Sequence, residues 1–256
     1  MDNGIRKRFT QIVLPVVRVY DDLGNIGSGF IINSKKLKNS VATYVITNSH
    51  IVEPNIEDTF MNRVSIDIFV YDDNTNVKYI QKCEADIIEV SKSETGIDLA
   101  LLKLTDNETI YKNQINLCPL DESDYILMSS DIFTVSFQNG LGAVITKGVL
   151  SHKNMSLKGF DYYIVTTPCY YGSSGGAVFI YSDSRKRYEL IGILTSIHRD
   201  ESKMNVIEND DKKEEDTGDK TEIWFEPVVY HLAFAQPIKL LYSWLHSIEY
   251  DNILSV

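Results

Sequence analysis

Three places in the chain carry side chains able to do acyl chemistry. The run "YYGSSGGAVF" sets Ser174 behind Gly172 and ahead of the pair Gly175 and Gly176. Adjacent glycines lose backbone entropy on folding and bury no side chain, so such a run needs a geometric reason. "VITNSHIV" places His50 just past the end of an apolar strand, and "GIDLALLKL" places Asp98 directly before another. Singly, each has a plain reading: a loop histidine, a turn-forming aspartate, a Gly-Ser turn. Jointly they supply a nucleophile, a base and a carboxylate to orient the base, the set that acyl transfer needs. Their order along the chain is His, Asp, Ser, and that order differs between folds that share the set.

The elements that must position these residues read as strands. Val, Ile and Thr recur in short runs, and Tyr (15) and Phe (10) are plentiful. About a dozen short apolar runs are separated by Gly and Asn turns: 12–20, 26–32, 41–47, 64–71, 99–104, 132–137, 142–151, 162–167, 177–182, 188–197, 224–233 and 234–238. That pattern predicts a barrel or sandwich rather than alternating strands and helices. Two stretches break it. Residues 199–222 are polar, charged and aperiodic, which predicts a long surface loop or a disordered insertion. After Pro237, Leu241, Trp244, Leu245 and Ile248 fall at helical spacing and predict a terminal helix docked by an apolar stripe.

Composition narrows the function. Of 256 residues, 43% are hydrophobic and 24% charged, enough for a core. A formal net charge of -11 argues against nucleic acid, whose phosphates call for clustered Lys and Arg. The one basic cluster, Arg6, Lys7 and Arg8, reads as a solvated, mobile terminus. Cys83, Cys118 and Cys169 are too widely spaced for a disulfide framework or a zinc site, and no metal or other cofactor is expected. No early apolar run is long enough for a membrane span or a signal sequence, so a cytoplasmic protein is expected.

The local sequences sharpen this. "TNSHIV", "IDLALLKL" and "GSSGGAVF" resemble the three catalytic motifs of the trypsin/chymotrypsin-like serine protease superfamily. "GSGFII", "TKGVLS", "IGILTSI" and "FAQPI" resemble its HtrA (Deg) branch, so the likeness runs from about residue 26 to 238. The resemblance implies an all-β chain of two six-stranded antiparallel barrels with a C-terminal helix. The implied layout is one protease domain over 1–256, with barrels at about 10–120 and 121–238 and the helix in 239–256. It implies a serine endopeptidase with Ser174 as nucleophile, His50 as base and Asp98 as its orienter, and an oxyanion hole from the N–H groups of Gly172, Ser173 and Ser174. Gly175 and Gly176 would keep Cβ atoms away from the attacking oxygen and the substrate.

Specificity would fall to Pro168, Tyr171, Thr195, Ser196 and Ile197, which favours an uncharged P1 side chain; His198 reads first as an exposed loop histidine with no such role, and otherwise as a group for an acidic P1 side chain. Secreted relatives carry Asp before the serine to receive a freed N-terminus. Ser173 cannot form that ion pair, so activation by N-terminal cleavage is not expected. Only residues 238–256 follow the last strand, so no PDZ domain is expected. Implied partners are a protein or peptide substrate, an activating protein and further copies of the chain. The competing readings are a latent or inactive binding module on the same fold, and an esterase using the same three residues.

Overall fold

The computed structural model describes residues 3–21, 23–37, 40–53, 62–91, 96–106, 111, 113–157, 160–197 and 230–254. Twelve strands close into two antiparallel barrels in the orders β1-β2-β3-β6-β5-β4 and β10-β11-β12-β9-β8-β7. The first barrel is β1 (Val16–Tyr20), β2 (Ile26–Lys36), β3 (Val41–Thr47), β4 (Arg63–Tyr71), β5 (Val77–Val90) and β6 (Ala100–Leu104). The second is β7 (Asp131–Ser136), β8 (Val144–Leu157), β9 (Phe160–Cys169), β10 (Ala177–Ser182), β11 (Arg187–Ile197) and β12 (Tyr230–Pro237). The expected all-β architecture of two six-stranded barrels is therefore the observed one.

Strand alternation builds three cores from these barrels. Successive side chains point to opposite faces. In β2, Ile31 fills the first barrel while Phe30 and Ile32 turn outward; in β10, Val178 fills the second while Ala177 and Phe179 turn outward. The outward set from both barrels meets in the largest cluster, with Ile46, Phe69, Leu101, Val135, Phe137, Leu190 and Ile193. Each such side chain contributes about 1.5–3 kcal/mol when fully buried. Both faces of the inner strands are thus apolar, which is why β2 is buried almost throughout. The same packing locks the barrels together and fixes residues from one against residues from the other.

Two helices close the ends of this inter-barrel core. The C-terminal helix (Ile238–Ser247) begins after Pro237, as expected, and buries Ile238, Leu241, Trp244 and Leu245. The N-terminal helix (Asn3–Ile12) was not expected. Arg8 is no solvated tail residue: its guanidinium lies 4.7 Å over the Phe133 ring and donates to Tyr188 Oη at 2.9 Å. Phe9 packs edge-on against Tyr71, so the helix bridges both barrels. The aromatic partners are far from the cluster in sequence, which is why its charge alone pointed to solvent. The acidic segment 199–222 lies outside the described residues.

Candidate active site

Asp98 is the fixed point of the site. It sits just before β6, and its carboxylate receives four donors. Oδ1 accepts the Ser49 hydroxyl at 2.8 Å and the His50 backbone N–H at 3.1 Å. Oδ2 meets His50 Nδ1 at 2.8 Å and accepts the Thr195 hydroxyl. The main chain of Asp98 is held as well. Its carbonyl accepts from the Asn48 amide at 2.7 Å, and its N–H donates to Gln236 Oε1 at 3.2 Å. Gln236 is fully buried, and its amide also donates to the Gly96 carbonyl at 3.0 Å. A residue from the last strand of the second barrel therefore braces the loop that carries the carboxylate of the first.

These contacts set the state of His50. Burial alone disfavours both charges of the pair. For His50 that loss is outweighed by the hydrogen bond to Asp98, the Asp98 charge and the more distant Glu53, so its pKa lies above the ordinary 6.5. For Asp98 the bond to His50, the imidazolium charge, the Thr195 hydroxyl and the His50 N–H together hold its carboxyl below the usual range. An imidazole whose Nδ1–H is given to a carboxylate presents Nε2 as the basic nitrogen. The His50 ring is half-exposed, open to a substrate.

Ser174 lies on the connection from β9 to β10. That connection is pinned from both barrels: Ser28 N–H donates to the Ser174 carbonyl at 2.7 Å, and Gly175 N–H donates to the Leu194 carbonyl at 2.8 Å. The Ser174 hydroxyl donates to the Thr195 carbonyl at 3.3 Å. Thr195 thus touches the aspartate through its hydroxyl and the serine through its carbonyl, and brings the two halves of the site together.

Before Ser174 the chain makes a tight turn in which Ser173 N–H donates to the Tyr170 carbonyl at 3.0 Å. Gly172 occupies its third position at φ +88, as a type II turn requires. The Tyr171 carbonyl is turned away and accepts Asn139 N–H at 2.7 Å. Among the described residues, the N–H groups of Gly172 and Ser174 donate to no protein acceptor. Two unpaired donors of this kind can receive a developing oxyanion. Ser173 is the exception among the three residues expected there, because its N–H closes the turn. Its hydroxyl, nearly buried, accepts Tyr170 N–H at 3.0 Å and caps the same turn.

A family model described as "Trypsin-like peptidase domain" matches residues 27–193, well over half of the chain. The chain belongs to the trypsin-like peptidase family. The magnetosome formation protease MamE of Magnetospirillum gryphiswaldense is 25% identical over 179 residues, covering 68% of this chain and 19% of MamE. The structure of the HtrA-type protease AlgW with a tripeptide matches with TM-score 0.61 at 18% identity, over 95% of this chain and 62% of that one. Deg5 matches with TM-score 0.59 at 18% identity, over 95% and 94%. The chain thus spans about a fifth of MamE and under two thirds of AlgW, and the likeness to the two solved structures is one of fold.

Within this peptidase-family chain the remaining expectations fall unevenly. Thr195, expected in a specificity wall, turns its hydroxyl to Asp98, because a buried carboxylate needs donors. Pro168 is half-buried at the end of β9, with its carbonyl accepting the Gln138 amide at 3.2 Å. Tyr171 is 62% exposed beside Gly172. Ser196 and Ile197 pair with Phe234 and Ala233 in the β11–β12 ladder; their side chains, and His198, lie outside the described residues. Cys169 is fully buried, its thiol pushed up to about 12 by burial, and serves as a small core residue.

Gly175 and Gly176 have a different reason from the one expected. A Cβ on Gly175 would sit 1.9 Å from the Ser28 carbonyl oxygen, and one on Gly176 2.7 Å from that of Ser173. They admit neighbouring backbone. Ser28 itself was missed: fully buried, it donates to the Gly172 carbonyl at 2.8 Å and accepts Phe137 N–H at 2.8 Å. The only signal was a small polar residue between two glycines in "GSGFII".

Proposed function

We propose that the chain is a serine endopeptidase that cleaves protein or peptide substrates through an acyl-enzyme. Ser174 Oγ attacks the scissile carbonyl carbon while His50 Nε2 takes its proton. The tetrahedral oxyanion receives the N–H groups of Gly172 and Ser174; losing one such donor typically slows the reaction by about 10²–10³-fold. The resulting His50 imidazolium is stabilised by Asp98 and returns its proton to the leaving amine. Water then repeats the sequence on the acyl-enzyme. The observation that carries this reading is the His50–Asp98 contact at 2.8 Å within a carboxylate that receives three further donors.

One observation favours a latent resting state as the second reading: the Ser174 hydroxyl is given to the Thr195 carbonyl. Rotation about χ1 must bring it to His50 before attack, and an activating partner or a further copy of the chain can supply that step through the surrounding loops. The test is turnover of an unfolded protein and of a small activated ester by wild type and Ser174→Ala. Peptide-bond cleavage lost in the variant supports the endopeptidase. Ester turnover alone supports an esterase, and neither, in folded protein, supports the latent reading.

A further inference from the structure

We propose that Arg18, braced by Asp67, is a positioning residue for the oxyanion hole, acting from the first barrel on the Gly172 peptide. The inference rests on the endopeptidase reading above. Arg18 in β1 and Asp67 in β4 stand directly opposite in the ladder. Asp67 is 1% exposed, so its charge demands a partner. Arg18 supplies it through Nε at 3.1 Å and through Nη2, both to Oδ2, while Tyr20 Oη donates to Oδ1 at 3.3 Å. The guanidinium is further confined 5.5 Å over Phe69 and 5.9 Å over Tyr20. Held in this way, its free arm points out of the first barrel. Nη1 donates to the Gly140 carbonyl at 2.7 Å, in the turn that follows β7 of the second barrel.

That turn is where the oxyanion hole is anchored. Asn139 and Gly140 both take positive φ, +52 and +68. Glycine enters this region freely and asparagine more readily than other residues, so the pair suits a tight turn to which the Arg18 bond adds a tether. Fixing the Gly140 carbonyl fixes the turn, and the turn aims Asn139 N–H at the Tyr171 carbonyl, 2.7 Å away. The Tyr171 carbonyl and the Gly172 N–H belong to one planar trans peptide and point in opposite directions. Holding the carbonyl on Asn139 therefore holds the N–H toward the site. Without that anchor the peptide is free to turn over, which exchanges the donor for a carbonyl oxygen facing the substrate. Ser173, neutral and committed to its own turn, offers no substitute anchor.

The three-armed geometry makes arginine specific. A lysine at position 18 neutralises Asp67 but cannot span both Asp67 and Gly140. The experiment compares wild type, Arg18→Lys and Arg18→Met for thermal midpoint, kcat, KM and inhibition by a peptide aldehyde, whose hemiacetal oxygen occupies the hole. The expected result is a folded Arg18→Lys with KM within about twofold, kcat about 10²-fold lower and aldehyde inhibition weaker by the same factor. Unchanged kcat and aldehyde affinity in Arg18→Lys overturns the inference, as does a KM that rises alone. Arg18→Met gives the same split more strongly if it folds, and Arg18→Lys decides if it does not. A crystal structure of Arg18→Lys reads the peptide directly: Tyr171 still on Asn139 overturns the inference even if wild type shows no turnover. That last outcome in wild type counts against the endopeptidase reading alone.

Discussion

Replacing Ser28 with alanine removes one oxygen atom and unpairs two buried groups. The hydroxyl donates to the Gly172 carbonyl and accepts Phe137 N–H, and neither has another protein partner among the described residues. Ser28 and Phe137 are both fully buried, so water does not replace the lost bonds. A buried donor or acceptor left unsatisfied costs about 1–3 kcal/mol, so the pair predicts a loss of roughly 2–6 kcal/mol. That is a large part of the 5–15 kcal/mol that typically holds a domain folded. The same hydroxyl ties the oxyanion turn to the turn after β7, so activity per folded molecule falls too. Urea denaturation gives the stability change, and titration of active sites separates lost molecules from slower ones. A Ser28→Ala protein within about 0.5 kcal/mol of wild type, with unchanged kcat, would mean that neither hydrogen bond of the Ser28 hydroxyl matters to the fold or the turn.

Four other tests follow from the same geometry. The proposed mechanism needs neutral His50, so its acid limb has a midpoint above 6.5, where the raised pKa places it; a pH–rate profile of kcat/KM with a midpoint at or below 6.5 contradicts the Asp98 contact. The shift also links to stability: the charged pair contributes fully below pH 6.5 and its contribution is lost as pH rises through the higher folded value, a slope that His50→Ala should abolish in denaturation measured from pH 6 to 9. Gly175→Ala forces a side chain to φ +77 with its Cβ 1.9 Å from the Ser28 carbonyl, which predicts a loss of about 2–5 kcal/mol by thermal unfolding. Thr195→Val keeps the shape but deletes one donor to Asp98, which predicts about 1.5–3 kcal/mol of destabilisation in urea.

His50, Asp98 and Ser174 stand out in the sequence because chemistry restricts residue type in short motifs, and of these the structure joins His50 to Asp98, while the Ser174 hydroxyl is given to Thr195. The apolar runs gave eleven of the barrel strands at least in part, and β5 was missed. Residues 77–84 are mostly exposed in β5, and Ala85 is its one buried position, so no alternation marks it. Contacts across the chain left no trace. Arg8 on Phe133, Arg18 on Gly140 and Gln236 on Asp98 join positions more than a hundred residues apart. Sequence shows that Thr195 lies in an apolar strand but not that its hydroxyl turns to Asp98.

Whether Ser174 is a nucleophile activated by His50 is read by covalent labelling with a fluorophosphonate, the adduct being located by mass spectrometry in wild type, Ser174→Ala and His50→Ala. An activated nucleophile gives an adduct on Ser174 in wild type, none in Ser174→Ala and a much slower one in His50→Ala. Labelling of Ser174 at the same rate without His50, or no labelling of a folded wild type under any activating condition, contradicts that activation.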